Sequence, residues 1–303
     1  MKTFRRSVSL LVAVLLLLTA VAGCGKKKER FIKDPRVSYL GPQGTYTEEA
    51  AKFFFSDTGT YIPEETVEKA VAAILEGRAD YAVIPQENTI GGAVTNYVDV
   101  LLSHDDVFVV GEVILPISQT LMGIPGTSLE DIKTVCSHAQ GIAQSEAWRK
   151  EHLPGAKTVE MPSTAAAASR VAETGDKSIA AIAAPGAAKL YGLEVLAENV
   201  QITETNKTRF YVLSTAKLES GKETHAVFSA VCEANRIDDI IVEIHDRGLE
   251  LVTIHDRPEG SQLGKYNYII EVEAEKGITE KQIEKISALE GVRFYGCFDV
   301  KNK

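Results

Sequence analysis

Residues 37–55 read VSYLGPQGTYTEEAAKFFF, and the reading of this stretch decides the fold. Val37 to Leu40 is a short β-prone run, and Gly41-Pro42 ends it. Thr47 to Phe55 then reads as a helix, with Thr47 as its N-cap and Glu48 and Glu49 in its first turn. A strand that passes through a glycine turn into a helix is the building unit of α/β domains. The pattern continues outward. A second helix spans Thr66 to Glu76, capped by Thr66, with apolar residues at 67, 70, 71, 74 and 75 on one face. Gly77 ends it. Tyr81 to Ile84 is a buried strand stopped by Pro85, Tyr97 to Leu102 a helix and Val107 to Ile114 a strand. A similar set follows: strand 134–136, helix 142–152, strand 157–160, an Ala-rich helix 165–173 and strand 178–182. This doubling predicts two α/β lobes of similar size, with largely parallel strands. Functional loops then gather where strand ends face each other across a cleft.

The composition shifts after Ser214. Residues 215–224 are polar and carry Gly221, so they read as a linker. Beyond them come strand 225–232, helix 237–247, strands 251–255 and 266–273, helix 279–288 and strand 292–300. This βαββαβ order is that of a ferredoxin-like unit. The chain therefore divides into a leader of 1–23, a tether of 24–34, a main domain of 35–214, the linker and a terminal domain of 225–303.

The leader does not belong to the fold. Lys2, Arg5 and Arg6 precede an apolar run from Val8 to Ala22, broken only by Ser9 and Thr19. The run is short against the roughly 20 residues a membrane-spanning helix needs, and it fits a secretory signal. Val21-Ala22-Gly23-Cys24 resembles the lipobox of bacterial lipoproteins, which implies lipidation of Cys24 and an extracytoplasmic, membrane-anchored protein.

Charge narrows the partners. The formal net charge is −9, and removing 1–23 leaves 30 basic and 42 acidic residues, a net −12. An acidic surface argues against nucleic acid or an anionic membrane as the main partner. An anionic substrate must then be held by local groups. Cys136, Cys232 and Cys297 are an odd set in apolar stretches and read as small buried hydrophobes. Neither a CxxC nor a His-rich spacing occurs, so no metal site is expected.

Five motifs carry chemistry. The turn Gly41 to Thr47 allows close backbone approach and offers helix N–H groups to an anion. Pro85-Gln86-Glu87-Asn88-Thr89 places a carboxylate, an amide and a hydroxyl at a strand end. Ser137-His138-Ala139-Gln140-Gly141 follows the strand at Cys136, and here a helix cap is the competing reading. Pro162-Ser163-Thr164 precedes the Ala-rich helix with two hydroxyls. Asn206-Lys207-Thr208-Arg209-Phe210 enters a strand, and a buried Arg209 demands a carboxylate partner.

Together these resemble the prephenate dehydratases over roughly Val37 to Ser214. The Gly41–Thr47 turn is similar to the family's opening motif, Glu87-Asn88-Thr89 to its Glu-Asn-Ser/Thr motif, and Ser137-His138-Ala139-Gln140 to its Ser-His-Pro-Gln motif. Thr208-Arg209-Phe210 matches the signature Thr-Arg-Phe tripeptide. Ala181 to Ala184 and Tyr191-Gly192-Leu193 match the segment before it. Ala139 and Gln86 depart from the pattern. The resemblance implies a two-lobed catalytic domain like the type II periplasmic binding proteins. It implies conversion of prephenate to phenylpyruvate, carbon dioxide and water in phenylalanine biosynthesis, with no metal and no cofactor. It makes Thr208 the proton donor, with Glu87, Asn88 and Gln140 positioning the ring and its hydroxyl. Arg209 and the helix starts at Thr45-Tyr46-Thr47 and Ser163-Thr164 would hold the two carboxylates, and Thr89, Ser137 and Phe210 would complete the substrate site.

The terminal domain resembles an ACT domain. In this family L-phenylalanine binds between two ACT domains of a dimer, and the resemblance implies a homodimer or homotetramer here. The family's Glu-Ser-Arg-Pro motif appears here as His255-Asp256-Arg257-Pro258, so Arg257 and Pro258 are the surviving regulatory positions. The family's Gly-Ala-Leu motif has no clear counterpart: Asp238 and Asp239 stand at the helix start where it belongs and would repel an amino-acid carboxylate. A second function class fits the same leader: a lipid-anchored solute-binding receptor for a small carboxylate. Such a receptor needs neither Thr-Arg-Phe nor an ACT domain. Formation of phenylpyruvate from prephenate separates the two.

Overall fold

The computed structural model describes residues 30–203, 205–218 and 222–303. The leader and Cys24 lie outside the described residues.

The first lobe begins with β1 (Arg36–Leu40), helix α1 (Tyr46–Phe54), β2 (Thr60–Glu64), α2 (Val67–Leu75) and β3 (Tyr81–Asn88). It continues with the short β4 (Gly92–Ala93), α3 (Thr95–Ser103) and β5 (Phe108–Pro116). Thr45 caps α1, not Thr47, because the Thr45 hydroxyl oxygen reaches the N–H of Glu48. Thr66 caps α2 as expected. Pro85 does not stop β3. β1 leaves β3 at Val83, and on the other side the ladder is interrupted by a bulge beside Pro85. A residue without an N–H is tolerated at such a place.

The second lobe contains β6 (Thr120–Gly123), β7 (Thr134–Ser137), α4 (Ala139–Gln144), α5 (Glu146–His152) and β8 (Lys157–Glu160). It closes with α6 (Thr164–Thr174), β9 (Ile179–Ala183), α7 (Pro185–Tyr191) and β10 (Glu194–Ala197). The strand order is β10-β6-β9-β7-β8. The sheet is filled on one face by Met122, Ala167, Val171 and Ala187, and on the other by Leu121, Val135, Ile182 and Val200. The expected helix 142–152 is two helices, and the first starts directly after His138. Cys136 and Cys297 are buried, as expected, whereas Cys232 is only partly buried.

Strand β11 (Lys207–Ser214) then returns to the first lobe and wedges between β3 and β5, antiparallel to both. The first sheet is thus mixed, not largely parallel, and Thr208 to Phe210 belong to lobe one although they follow lobe two in sequence.

The terminal domain comprises β12 (His225–Glu233), α8 (Ile237–Asp246), β13 (Glu250–Pro258), β14 (Lys265–Glu273), α9 (Glu280–Ser287) and β15 (Val292–Phe298). Its sheet, ordered β13-β14-β12-β15, is antiparallel throughout, as the βαββαβ reading requires. One face carries its own core around Phe228, Ile270 and Ile286. The other presents Val227, Ile269, Tyr295 and Phe298 to the core of lobe one. Burying each such side chain contributes about 1.5–3 kcal/mol, so docking is driven by apolar surface. The last strand, β16 (Val300–Asn302), leaves the terminal sheet and adds to β5 in parallel, so the sheet of lobe one is completed from the end of the chain's last sheet-forming segment.

Candidate active site

A cavity of about 850 Å³ opens between the lobes. Three helix starts point at it. The first turn of α1 contributes Thr45, Tyr46 and Thr47, α4 contributes His138 and Gln140, and α6 contributes Ser163 and Thr164. The sequence folds this way because each start carries a cap. Thr45 accepts from the N–H of Glu48, His138 Nδ1 from that of Gln140 and Ser163 from that of Ala166. The remaining first-turn N–H groups have no intrahelical acceptor and are available to an anion. No lysine or arginine is among the described lining residues. Helix starts and neutral donors are therefore the positive potential of this cavity.

The floor is built by β3 and β11. Thr208 and Phe210 face the cavity, as does Asn88 across the ladder. Asn88 is the hub. Its Nδ2 donates to Thr208 Oγ1 at 2.9 Å, to Asn206 Oδ1 at 2.8 Å and to the Lys207 carbonyl at 3.1 Å. Its Oδ1 accepts from Gln140 Nε2 at 3.0 Å and from the N–H groups of Ile90 and Gly91. Thr208 is nearly buried, and its hydroxyl hydrogen has no acceptor among the described protein groups. A second line of amides runs from Asn206 Nδ2 to Gln144 Oε1 at 3.2 Å, with Gln119 Nε2 also donating to that oxygen. Gln119 Oε1 and Gln144 Nε2 are buried at the cavity without protein partners.

A prephenate dehydratase family model matches residues 37–218. The chain belongs to the prephenate dehydratase family. With it, the chain belongs to the carbon–oxygen lyases. It is 33% identical over 271 residues to the prephenate dehydratase of Amycolatopsis methanolica, covering 87% of this chain and 88% of that one. It is 32% identical over 255 residues to a bifunctional chorismate mutase/prephenate dehydratase of Aquifex aeolicus, covering 84% and 69% respectively. The structure of an Arthrobacter aurescens prephenate dehydratase in complex with L-Phe superposes with a TM-score of 0.78 at 31% identity, covering 87% of this chain and 90% of that one.

The dehydratase cavity gathers nine of the residues anticipated from sequence: Thr45, Tyr46, Thr47, Asn88, Gln140, Ser163, Thr164, Thr208 and Phe210. Four others are elsewhere. Thr89 lies outside the cavity and exchanges hydrogen bonds with the backbone of Lys207, stapling β3 to β11. Ser137 is fully buried and donates to the Ile182 carbonyl at 2.7 Å. A Cβ on Gly141 would stand 2.3 Å from Ser137 Oγ, so a glycine there lets α4 close on β7. Arg209 and Glu87 face the opposite side of the sheet. Strand alternation puts Arg209 behind Thr208 and Phe210. The bulge inserts Gln86 as an extra residue, which turns Glu87 to the back as well.

Behind the sheet, Arg209 finds its carboxylates within the protein. Its Nε donates to Glu112 Oε1 at 2.5 Å and its Nη2 to Glu112 Oε2 at 2.9 Å. Nη2 also donates to Glu271 Oε1, and Nη1 stands 3.6 Å from Glu87. Burial opposes its charge, but Glu112 and Glu271 outweigh burial and hold Arg209 above its ordinary pKa. Arg209 is thus turned away from the cavity, and its donors are taken up by Glu112 and Glu271. Tyr46 lines the cavity but donates its hydroxyl to the Ser118 carbonyl, tying α1 to the crossing segment. Arg257 is bound to Asp99 of α3, with Nε–Oδ1 at 2.7 Å.

Gln144, Gln119 and Asn206 were not anticipated. Gln144 had a signal: it lies one turn after Gln140 on the same helix face. Asn206 shares the parity of Thr208. Gln119 had none, because the segment before β6 carries no pattern that separates it from a loop.

Proposed function

We propose that Thr208 is the general acid in the dehydration of prephenate to phenylpyruvate. The observation that carries this is its hydroxyl. The oxygen accepts from Asn88, so the hydrogen is free for a partner in the cavity. Prephenate carries two carboxylates and a ring hydroxyl. As the ring carboxylate departs as carbon dioxide, its C–C bonding electrons enter the ring. The ring C–OH bond breaks, and the leaving oxygen takes the Thr208 proton to become water. The ring becomes aromatic, so the driving force lies in the substrate. Asn88 Nδ2 supports the Thr208 oxygen while it is short of a proton, and that oxygen then recovers one from water. The N-termini of α1 and α6 are placed for the carboxylates, in the role first expected of Arg209. Gln140, Gln144 and Gln119 supply neutral donors and acceptors for the keto group and ring hydroxyl. Absorbance of phenylpyruvate on addition of prephenate tests the reading. Binding without turnover would instead identify a receptor.

We further infer that the terminal domain is an ACT-type sensor whose ligand is L-phenylalanine. The L-Phe complex of the Arthrobacter aurescens relative supports this. Two features weaken the affinity. Arg257 is engaged by Asp99, and Asp238 and Asp239 occupy the first turn of α8. Inhibition is therefore expected only at millimolar L-phenylalanine, and constant turnover across that range removes the feedback role. A homodimer or homotetramer is the assembly proposed, and light scattering during the titration gives the count.

Membrane anchorage through Cys24 is the third proposal, supported by the leader sequence. The mass of the mature N-terminus after membrane fractionation should show a diacylated or triacylated Cys24. A soluble product that retains or lacks the leader without lipid would refute it.

A further inference from the structure

The cluster behind β11 joins two domains. Glu112 lies on β5, Arg209 and Tyr211 on β11, Gln86 and Glu87 on β3, Tyr97 on α3, and Glu271 and His255 on β14 and β13 of the terminal domain. The side chains of Glu112 and Glu271 are fully buried. Glu271 Oε2 accepts from the Tyr211 hydroxyl and from Gln86 Nε2, and its Oε1 from Arg209. Gln86 Nε2 also donates to Tyr211 at 2.9 Å. On the exposed flank, His255 joins Tyr97, stands 3.8 Å from Glu87 and lies 3.2 Å from Thr253 Oγ1. Burial holds His255 below its usual pKa, so it is neutral at pH 7 and adds no cation to the cluster. Arg209 is the one cation among the described groups facing this cluster.

We infer that Glu271 is a positioning residue for the dehydration: it clamps Arg209 from the terminal domain and so fixes Thr208, the preceding residue on β11, beneath Asn88. The inference rests on the dehydratase reading above. The geometry leaves little freedom. Arg209 is held on one side by Glu112 of its own sheet and on the other by Glu271. Without Glu271, Nη2 keeps only Glu112 and Nη1 faces only the partly exposed Glu87 at 3.6 Å, so β11 can shift at the residue adjoining the proton donor. A general acid loses efficiency with small displacements, because proton transfer needs hydrogen-bond reach. The effect therefore falls on turnover and not on binding, which is carried by the helix starts.

The charge state of the cluster supplies a second readout. Burial first, and the neighbouring Glu271 charge next, push the Glu112 carboxyl up to about 8. Glu112 therefore keeps its proton at neutral pH. As pH rises through that range the proton leaves and the two carboxylates repel across Arg209. Removing the Glu271 charge removes part of the cause, so Glu112 would ionise at lower pH.

The test is steady-state kinetics of Glu271→Gln on prephenate, across about pH 6 to pH 9.5, beside the wild type and with thermal melts of both. The expected result is a folded protein with kcat lowered about tenfold, KM within about threefold, and an alkaline limb near pH 8 that is present in wild type and absent in the variant. A folded variant with wild-type kcat and pH profile, or one in which only KM rises, overturns the inference. If Glu271→Gln does not fold, Tyr211→Phe decides, since it deletes one donor to Glu271 and keeps the ring. A fall in kcat at constant KM supports the clamp, and unchanged kcat overturns it. Wild-type turnover is measured in the same assay, so failure of the dehydratase reading itself is seen separately.

Discussion

Thr208→Ala should lower kcat on prephenate by about 10²–10⁴-fold while leaving KM within a few-fold. That corresponds to about 3–5 kcal/mol in the barrier. The direction follows from how the hydroxyl is held. Its oxygen accepts a single hydrogen bond, from Asn88, and its hydrogen has no protein acceptor among the described groups. Deleting it should cost little in folding, because Asn88 Nδ2 keeps Asn206 and the Lys207 carbonyl as acceptors. The loss is then chemical and not structural. Phenylpyruvate formation at saturating prephenate is the measurement, with a melting curve to show that the fold persists. Near-normal turnover would remove Thr208 from the chemistry.

Arg209→Met should destabilise the protein by about 3–5 kcal/mol, the usual result of leaving a buried charge without its partner. Methionine fills similar space but leaves Glu112 and Glu271 facing each other, both fully buried. The pH dependence has a definite sign. Glu112 already has a folded-state pKa raised to about 8, above the 4.5 of the free carboxyl. The folded state therefore binds more protons than the unfolded state between those values, and stability falls as pH rises through them. Loss of the guanidinium strengthens this effect. The deficit of Arg209→Met against wild type should be small at about pH 5.5 and largest at about pH 8.5, measured as urea unfolding midpoints. An equal deficit at both values would mean that the carboxylates do not carry it.

The placement of Arg209 shows how far the sequence could be read. The demand for a carboxylate partner followed from its expected burial, and that demand is met. Which carboxylate it would be did not follow, because Glu271 is far away in sequence and becomes a neighbour only when the terminal sheet docks. Parity along β11 separates Thr208 and Phe210 from Arg209 and was available in the sequence. The matching inversion at Glu87 was not, since it depends on the bulge at Gln86, which exists only once β3 and β11 are paired. Helices with a cap and an apolar stripe, such as α2, were legible because both signals are local. The cap of α1 slipped by two residues because Thr45 and Thr47 are both hydroxyls in a glycine turn. Gln140 was visible through its motif, whereas Gln119 acquires meaning only from the cavity it borders. Strands β6, β10 and β16 were hidden because short segments gain their strand character from the neighbours they join.

The wedge of β11 between β3 and β5, and the addition of β16 to β5, set the order in which the molecule can assemble. The strands of lobe one nearest the N-terminus are synthesised first, yet their sheet stays incomplete while the whole second lobe is made. Its central gap closes only when β11 arrives, and its far edge only after the terminal domain has been traversed. Pairings between segments so distant in sequence carry a large entropic cost before any contact rewards them, which makes folding slow. Until then β3 and β5 expose unpaired edges that can join another chain. A truncated product lacking the last strands would keep such edges and be prone to aggregate.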